Sequence, residues 1–148
     1  MYLDTAIIVK LLVRESDSAW FDHALMGQSF ETSELAIAEV RSALLAKERA
    51  GHISSVERGK AAQRFAEMAV DELLKLHPLN RSVLERACAI QQACHPQIPL
   101  RTLDALHVAT CDMHRSGRLA TTDARMRAAC RQLAIELIPA QPEDVVAQ

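Results

Sequence analysis

Among the 19 acidic residues of this chain, Asp4, Glu39, Asp104 and Asp123 are set apart by their apolar surroundings. Asp4 lies between Tyr2-Leu3 and Ala6-Ile7-Ile8-Val9, at the edge of a core where an uncompensated charge is costly. A helix N-cap explains the same residue equally well. Glu39 has Leu35, Ala36, Ser42 and Ala43 three and four positions away. None is basic, so no local ion pair accounts for its charge. Asp104 falls in the first turn of a helix. The helix dipole and Arg101 would explain it taken alone, yet Ala105-Leu106-His107-Val108-Ala109 marks that helix as largely buried. His107, one turn on, reads as a satisfied histidine of the core or its rim and is left outside the site. Asp123 follows Leu119-Ala120-Thr121-Thr122 directly and also suits an N-cap, with Thr122 as a rival. Held together, such carboxylates repel one another and need cations or raised pKa values. A set of oxygen ligands alone favours a hard ion, Mg²⁺ or Mn²⁺. Spacing along the chain does not bring the four together in space.

The elements that must position them read as short apolar strands alternating with amphipathic helices. A two-residue strand ends at Asp4 and a helix starts near Thr5. A second helix, within residues 16–27, stops at Gly27. Residues 28–32 form a second strand, and Ser33 caps a long helix ending at Gly51. Ser54 with Glu57 has capping-box spacing. Residues 73–79 read as a third strand, and Asn80 or Ser82 starts the next helix. Thr102 caps the Asp104 helix, residues 119–122 form a fourth strand, and residues 135–138 form the last. This order predicts an α/β domain, a mainly parallel, five-stranded sheet covered on both faces. In such sheets sites form beyond the carboxyl ends of the strands, where Asp4 and Asp123 fall.

A length of 148 residues suits one domain with a real core, with residues 139–148 a loosely attached tail. Hydrophobic residues make up 49% and charged residues 24%, an ordinary globular balance. One Trp, one Tyr and three Phe are too few for a base-stacking platform. The net charge of -2 gives no general attraction for nucleic acid, so local Arg and Lys plus a bound cation must supply it. The four cysteines lack metal-knuckle or redox spacing and read as buried, reduced thiols. The longest apolar run, Ala6 to Val13, contains Lys10 and is too short to span a bilayer. A reducing cytoplasm is the expected location.

Four segments in order resemble the PIN-domain family, and within it the VapC-like toxins of toxin–antitoxin pairs. They are MYLDTAIIVKLL, SELAIAEVRSAL, RTLDALHVATC and LATTDARM. The family's Asp-Thr pair after the first strand matches Asp4-Thr5, and its Glu in the helix after the second strand matches Glu39. Its Asp-Ala element opening a long apolar helix matches Asp104-Ala105, and its Thr-Asp element after the fourth strand matches Thr122-Asp123. The likeness runs from about Tyr2 to Pro139, and it is the ordered set that is specific. Met126 stands near where the family often has an aromatic residue.

The resemblance implies a three-layer α/β/α sandwich and a Mg²⁺-dependent endoribonuclease, Mn²⁺ serving as a substitute. Its RNA substrate would belong to the translation machinery. Asp4 and Asp104 would be the principal ligands, with Glu39 and Asp123 binding directly or through water, and Thr5 and Thr122 orienting them. A cognate antitoxin and a homodimer are implied too. Lys10, Arg14, Arg41, Arg101 and Arg125 are candidates to hold phosphates, though each singly reads as part of a solvated helix face. Two rivals stand beside this reading. One is a DNA or flap-type nuclease on the same fold, for which the chain lacks a helical arch. The other is a non-catalytic metal- and partner-binding module, which retention of all four acids disfavours. No P-loop or nucleophile elbow supports another chemistry.

Overall fold

A computed structural model describes residues 1–145. Its five strands are β1 (Tyr2–Leu3), β2 (Phe30–Ser33), β3 (Leu74–His77), β4 (Arg118–Ala120) and β5 (Glu136–Ile138). They form one sheet in the order β3-β2-β1-β4-β5, every pair parallel. Parallel neighbours need crossovers. These are supplied by α1 (Thr5–Leu12), α2 (Ser18–Ala24), α3 (Leu35–Arg49), α4 (Ser55–Val70), α5 (Arg81–Cys94), α6 (Thr102–Met113) and α7 (Ala124–Gln132).

Alternation along the strands divides the core in two. Tyr2 and Leu119 point into a cluster with Val83, Ile90, Val108 and Ala129, from α5, α6 and α7. Leu3 and Ala120 point the opposite way, onto Ile7, Ile8, Phe21, Val40 and Phe65, from α1 to α4. The expected three-layer architecture with a parallel sheet is therefore present.

Several boundaries differ from those expected. The second strand starts at Phe30 and includes Ser33, so Ser33 is a buried strand residue. Its hydroxyl still accepts the Leu35 N–H at 3.2 Å, close to a capping role. Thr102 is the first residue of α6 and not its cap; Arg101 holds the cap position without a side-chain bond. The third strand is shorter than residues 73–79 and stops at His77, because Pro78 has no N–H to give a ladder. The reciprocal Ser54–Glu57 capping box and the Asn80 cap are as expected.

The segment expected as a tail begins at Pro139, whose carbonyl accepts from Arg127 Nη1 at 2.8 Å. Ala140 O accepts from Nη2 at 2.9 Å, and Thr121 O from Nη1 at 3.1 Å. Residues 146–148 of that tail lie outside the described residues. Arg127 is only 2% exposed. Arg127→Ala is expected to cost about 3 kcal/mol in urea unfolding, because three carbonyls, those of Thr121 and Pro139 buried, lose a charged donor.

Candidate active site

The chain runs from β1 to β2 and β3 on one side of the sheet, then returns to β4 and β5 on the other. The winding therefore reverses between β1 and β4, and a crevice opens at their carboxyl ends. Asp4 is the first residue beyond β1, and its N–H bonds Ala120 O at 3.1 Å. Its Oδ1 accepts the Ile7 N–H at 2.9 Å, which makes it the N-cap of α1. Its Oδ2 accepts from the Thr121 hydroxyl. Capping and a place in the crevice are thus compatible for one side chain. Burial pushes the Asp4 carboxyl above the usual range. Its bonds to Thr121 and Ile7 and the charge of His107 oppose that rise, and the Asp123 charge adds to it.

Asp123 caps α7, its Oδ1 accepting from Arg125 N–H at 2.8 Å and Met126 N–H at 2.9 Å. Asp104 lies in the first turn of α6, which starts near the same end of the sheet. Its Oδ2 is buried and has no hydrogen-bond partner. Burial raises the Asp104 carboxyl, and the Asp123 charge raises it further. The Arg101 backbone and the charges of Arg125 and Arg101 pull the other way. Asp123 thus repels both Asp4 and Asp104, and the three form one electrostatic group.

Glu39 joins this group indirectly. Its Oε2 accepts from Thr5 Oγ1 at 2.6 Å and lies 2.6 Å from His107 Nε2. Burial alone would raise Glu39, but the His107 bond and charge and the Thr5 bond bring it below the usual range. Glu39 has no basic neighbour on its own helix, and its partner comes from α6 instead.

Sequence reasoning placed Thr122 in support and missed Thr121. Thr122 is exposed, whereas the buried Thr121 links Asp4 to the Asp123 N–H, which its hydroxyl accepts at 3.0 Å. Two adjacent threonines after a strand point to opposite sides, so the available signal was strand parity. His107, expected outside the site, borders it. It is buried and satisfied, as expected of a core histidine, yet it touches Glu39. Its spacing of three residues from Asp104 puts both on one helix face.

A groove of about 550 Å³ is lined by Thr5, Glu39, Thr122 and Leu103 together with Lys10 and Lys47. Lys10 is paired with Glu15 at 2.8 Å and Asp17 at 2.7 Å, and Lys47 with Glu15 at 2.6 Å. Arg101 and Arg125 bear directly on Asp104. Another groove, about 470 Å³ between α2 and α4, is lined by Leu25, Met26, Arg64 and Met68. It contains none of the four acids and offers no comparable chemistry. Of the cysteines, Cys94, Cys111 and Cys130 are buried, and burial pushes Cys111 and Cys130 up to about 12. Cys88 corrects the expectation of four buried thiols, being exposed on α5.

The donor set suits a hard cation that retains water. Among the described residues no three Asp, Glu, His or Cys side chains stand close enough to hold an ion between them. Mg²⁺ ordinarily keeps several waters and takes one or two carboxylates, so a full protein cage is not required. The unpartnered Asp104 Oδ2 and the repulsion around Asp123 are what such a charge would relieve.

The PIN domain family pattern matches residues 1–132. The chain is 35% identical over 141 residues to Ribonuclease VapC46 of Mycobacterium tuberculosis, covering 93% of this chain and 95% of that one. Its fold resembles a chain from a toxin–antitoxin complex of Klebsiella pneumoniae, with a TM-score of 0.58 and 20% identity. That match covers 86% of this chain and 89% of the other. With a doubly wound parallel sheet, acids at its switch point and a family pattern spanning both, this chain belongs to the PIN-domain family.

Proposed function

We propose that the protein is a metal-dependent endoribonuclease, the toxin of a toxin–antitoxin pair, and that it cuts RNA of the translation machinery. The observation that carries the metal site is the buried, unpartnered Asp104 Oδ2 beside the mutually repelling Asp123 and Asp4. Asp4 and Asp104 would hold Mg²⁺, or Mn²⁺ in its place, with Asp123 and Glu39 acting directly or through water. Bound there, a divalent cation neutralises phosphate charge and lowers the pKa of water.

The chain's own residues do the rest. The Ile7 N–H and the Thr121 hydroxyl fix the plane of the Asp4 carboxylate. Glu39 is held as a carboxylate, and its Oε1, which takes no hydrogen bond among the described residues, is free to orient water or a cation. Arg101 and Arg125 supply positive charge next to Asp104, where a phosphodiester would otherwise be repelled. An acidic crevice also suits an antitoxin that inserts a basic side chain to block it. A homodimer is proposed from the family likeness. No helix among the described residues is long and apolar enough to cross a membrane. We place the protein in the cytoplasm, whose reducing conditions suit its four free cysteines.

Purified protein incubated with RNA or DNA, in Mg²⁺, Mn²⁺ or EDTA, tests this directly. Cleavage of RNA alone, supported by either ion and stopped by EDTA, is the expected result. Cleavage in EDTA would remove the metal from the account. Cleavage of DNA in preference to RNA would replace the substrate.

A further inference from the structure

We propose that His107 is a positioning residue: anchored on Tyr2 in the core, it clamps one oxygen of Glu39 and leaves the other free for the reaction. The proposal rests on the ribonuclease reading above. Glu39 has three rotatable side-chain bonds and lies on a face of α3 with no basic neighbour. Left to itself its carboxylate would sample many positions. Instead Oε2 meets two groups at 2.6 Å, Thr5 Oγ1 and His107 Nε2, while Oε1 takes no hydrogen bond among the described residues. Thr5 comes from α1 and His107 from α6, so the carboxylate is gripped from two helices other than its own.

The grip is rigid because His107 is itself fixed. It is 3% exposed, and its Nδ1 lies 2.8 Å from the Tyr2 hydroxyl. The two rings meet edge to face, with centroids 5.8 Å apart and an interplanar angle of 73°. Tyr2 is fully buried in β1. Its hydroxyl has the ring nitrogen as its hydrogen-bond partner. Nε2–H donates to Glu39 whether the ring is neutral, with Tyr2 O–H donating to Nδ1, or protonated, with Nδ1–H donating to the Tyr2 oxygen. The second nitrogen of the ring sets the state of the first, as outer partners do around metal-site histidines. With both nitrogens engaged, neither is left to bind an ion. Tyr2 and Asp4 belong to the same strand end, so the clamp ties the Glu39 carboxylate to the backbone that carries Asp4.

The test combines an NMR readout with kinetics. In the metal-free protein, the Nε2–H proton of His107 should appear as a downfield resonance protected from exchange, and Glu39→Gln should shift or abolish it. Kinetically, His107→Leu should lower kcat about 100-fold with KM unchanged, as expected when a reacting group is misplaced. His107→Gln, whose amide N–H can replace Nε2–H, should recover kcat to within about tenfold of the wild type. Tyr2→Phe, which removes only the anchoring hydroxyl, should lower kcat severalfold and serves if His107→Leu fails to fold. A folded His107→Leu with wild-type kcat, or a Tyr2→Phe with wild-type kcat, would overturn the proposal. So would a Gln variant that restores thermal stability but not kcat, or the absence of the protected proton. A wild-type protein that shows the proton yet cuts no RNA would instead defeat the ribonuclease reading on which the clamp depends.

Discussion

Asp4→Asn is expected to reduce metal-dependent RNA cleavage on the order of 10³-fold while making the metal-free protein more stable. The two effects have one cause. Asp4 is 4% exposed and buried among apolar neighbours, with the Asp123 charge acting on it. Its negative charge is therefore costly when no cation is present. Asparagine keeps the oxygen that accepts the Ile7 N–H, and Asn caps helices about as well as Asp. Its amide can donate to the Thr121 oxygen in place of the bond now accepted by Asp4. The substitution thus removes charge while leaving the cap in place, a trade seen where function requires a strained site. Thermal melts in EDTA should show a gain of about 1–2 kcal/mol over the wild type. Alanine at the same position should lose both activity and stability, since the cap goes too.

The second large effect is stabilisation by the cation, with a pH dependence of definite sign. Asp4 and Asp104 both have carboxyls raised above the usual aspartate range in the folded protein, chiefly by burial. The folded state therefore binds protons more tightly at these groups than the unfolded chain does. Their contribution to stability is fully present below about pH 4 and is lost as pH rises through the folded values. Glu39 has the opposite shift, below its usual range, so its contribution is present above the unfolded value and lost on acidification. Comparing wild type with Asp4→Asn and Asp104→Asn isolates the aspartate terms. In EDTA, the stability gained by either variant should grow from pH 4 toward neutrality. At neutral pH, Mg²⁺ at about 100 times its Kd should add ~2.7 kcal/mol to the wild type. For a domain of this size that is roughly 5–10 °C in Tm. The increment should shrink sharply in both variants. An equal Mg²⁺ increment in wild type and variants would show that the ion stabilises the protein elsewhere.

The parallel sheet and its two covered faces were legible in the alternation of short apolar segments with amphipathic helices. That pattern depends on local sequence alone. The switch point was less so, because strand order is set by which crossover packs on which face, and Asp4 and Asp123 become neighbours only through it. The individual acids each carried a credible local explanation, and for Asp4 and Asp123 the local explanation is realised: both cap helices. A cap with one oxygen on the backbone still has a second oxygen to offer, so capping never argued against a site. Glu39 was singled out for lacking a local partner. Its partner proved to be His107, 68 residues away, a pairing that no periodicity on α3 could reveal. Thr121 and Thr122 show the same limit at finer scale. β4 ends at Ala120, and of the two hydroxyls that follow it only Thr121 reaches Asp4 while Thr122 meets solvent.

The most direct test of the acidic crevice as a metal centre is a Mn²⁺ titration followed by electron paramagnetic resonance. It would compare the wild type with Asp104→Asn, whose buried Oδ2 is the oxygen without a protein partner. Saturable binding to the wild type, with affinity at least about tenfold weaker in the variant, is the expected result. Equal affinity in the two proteins, or no saturable binding by the wild type, would contradict it.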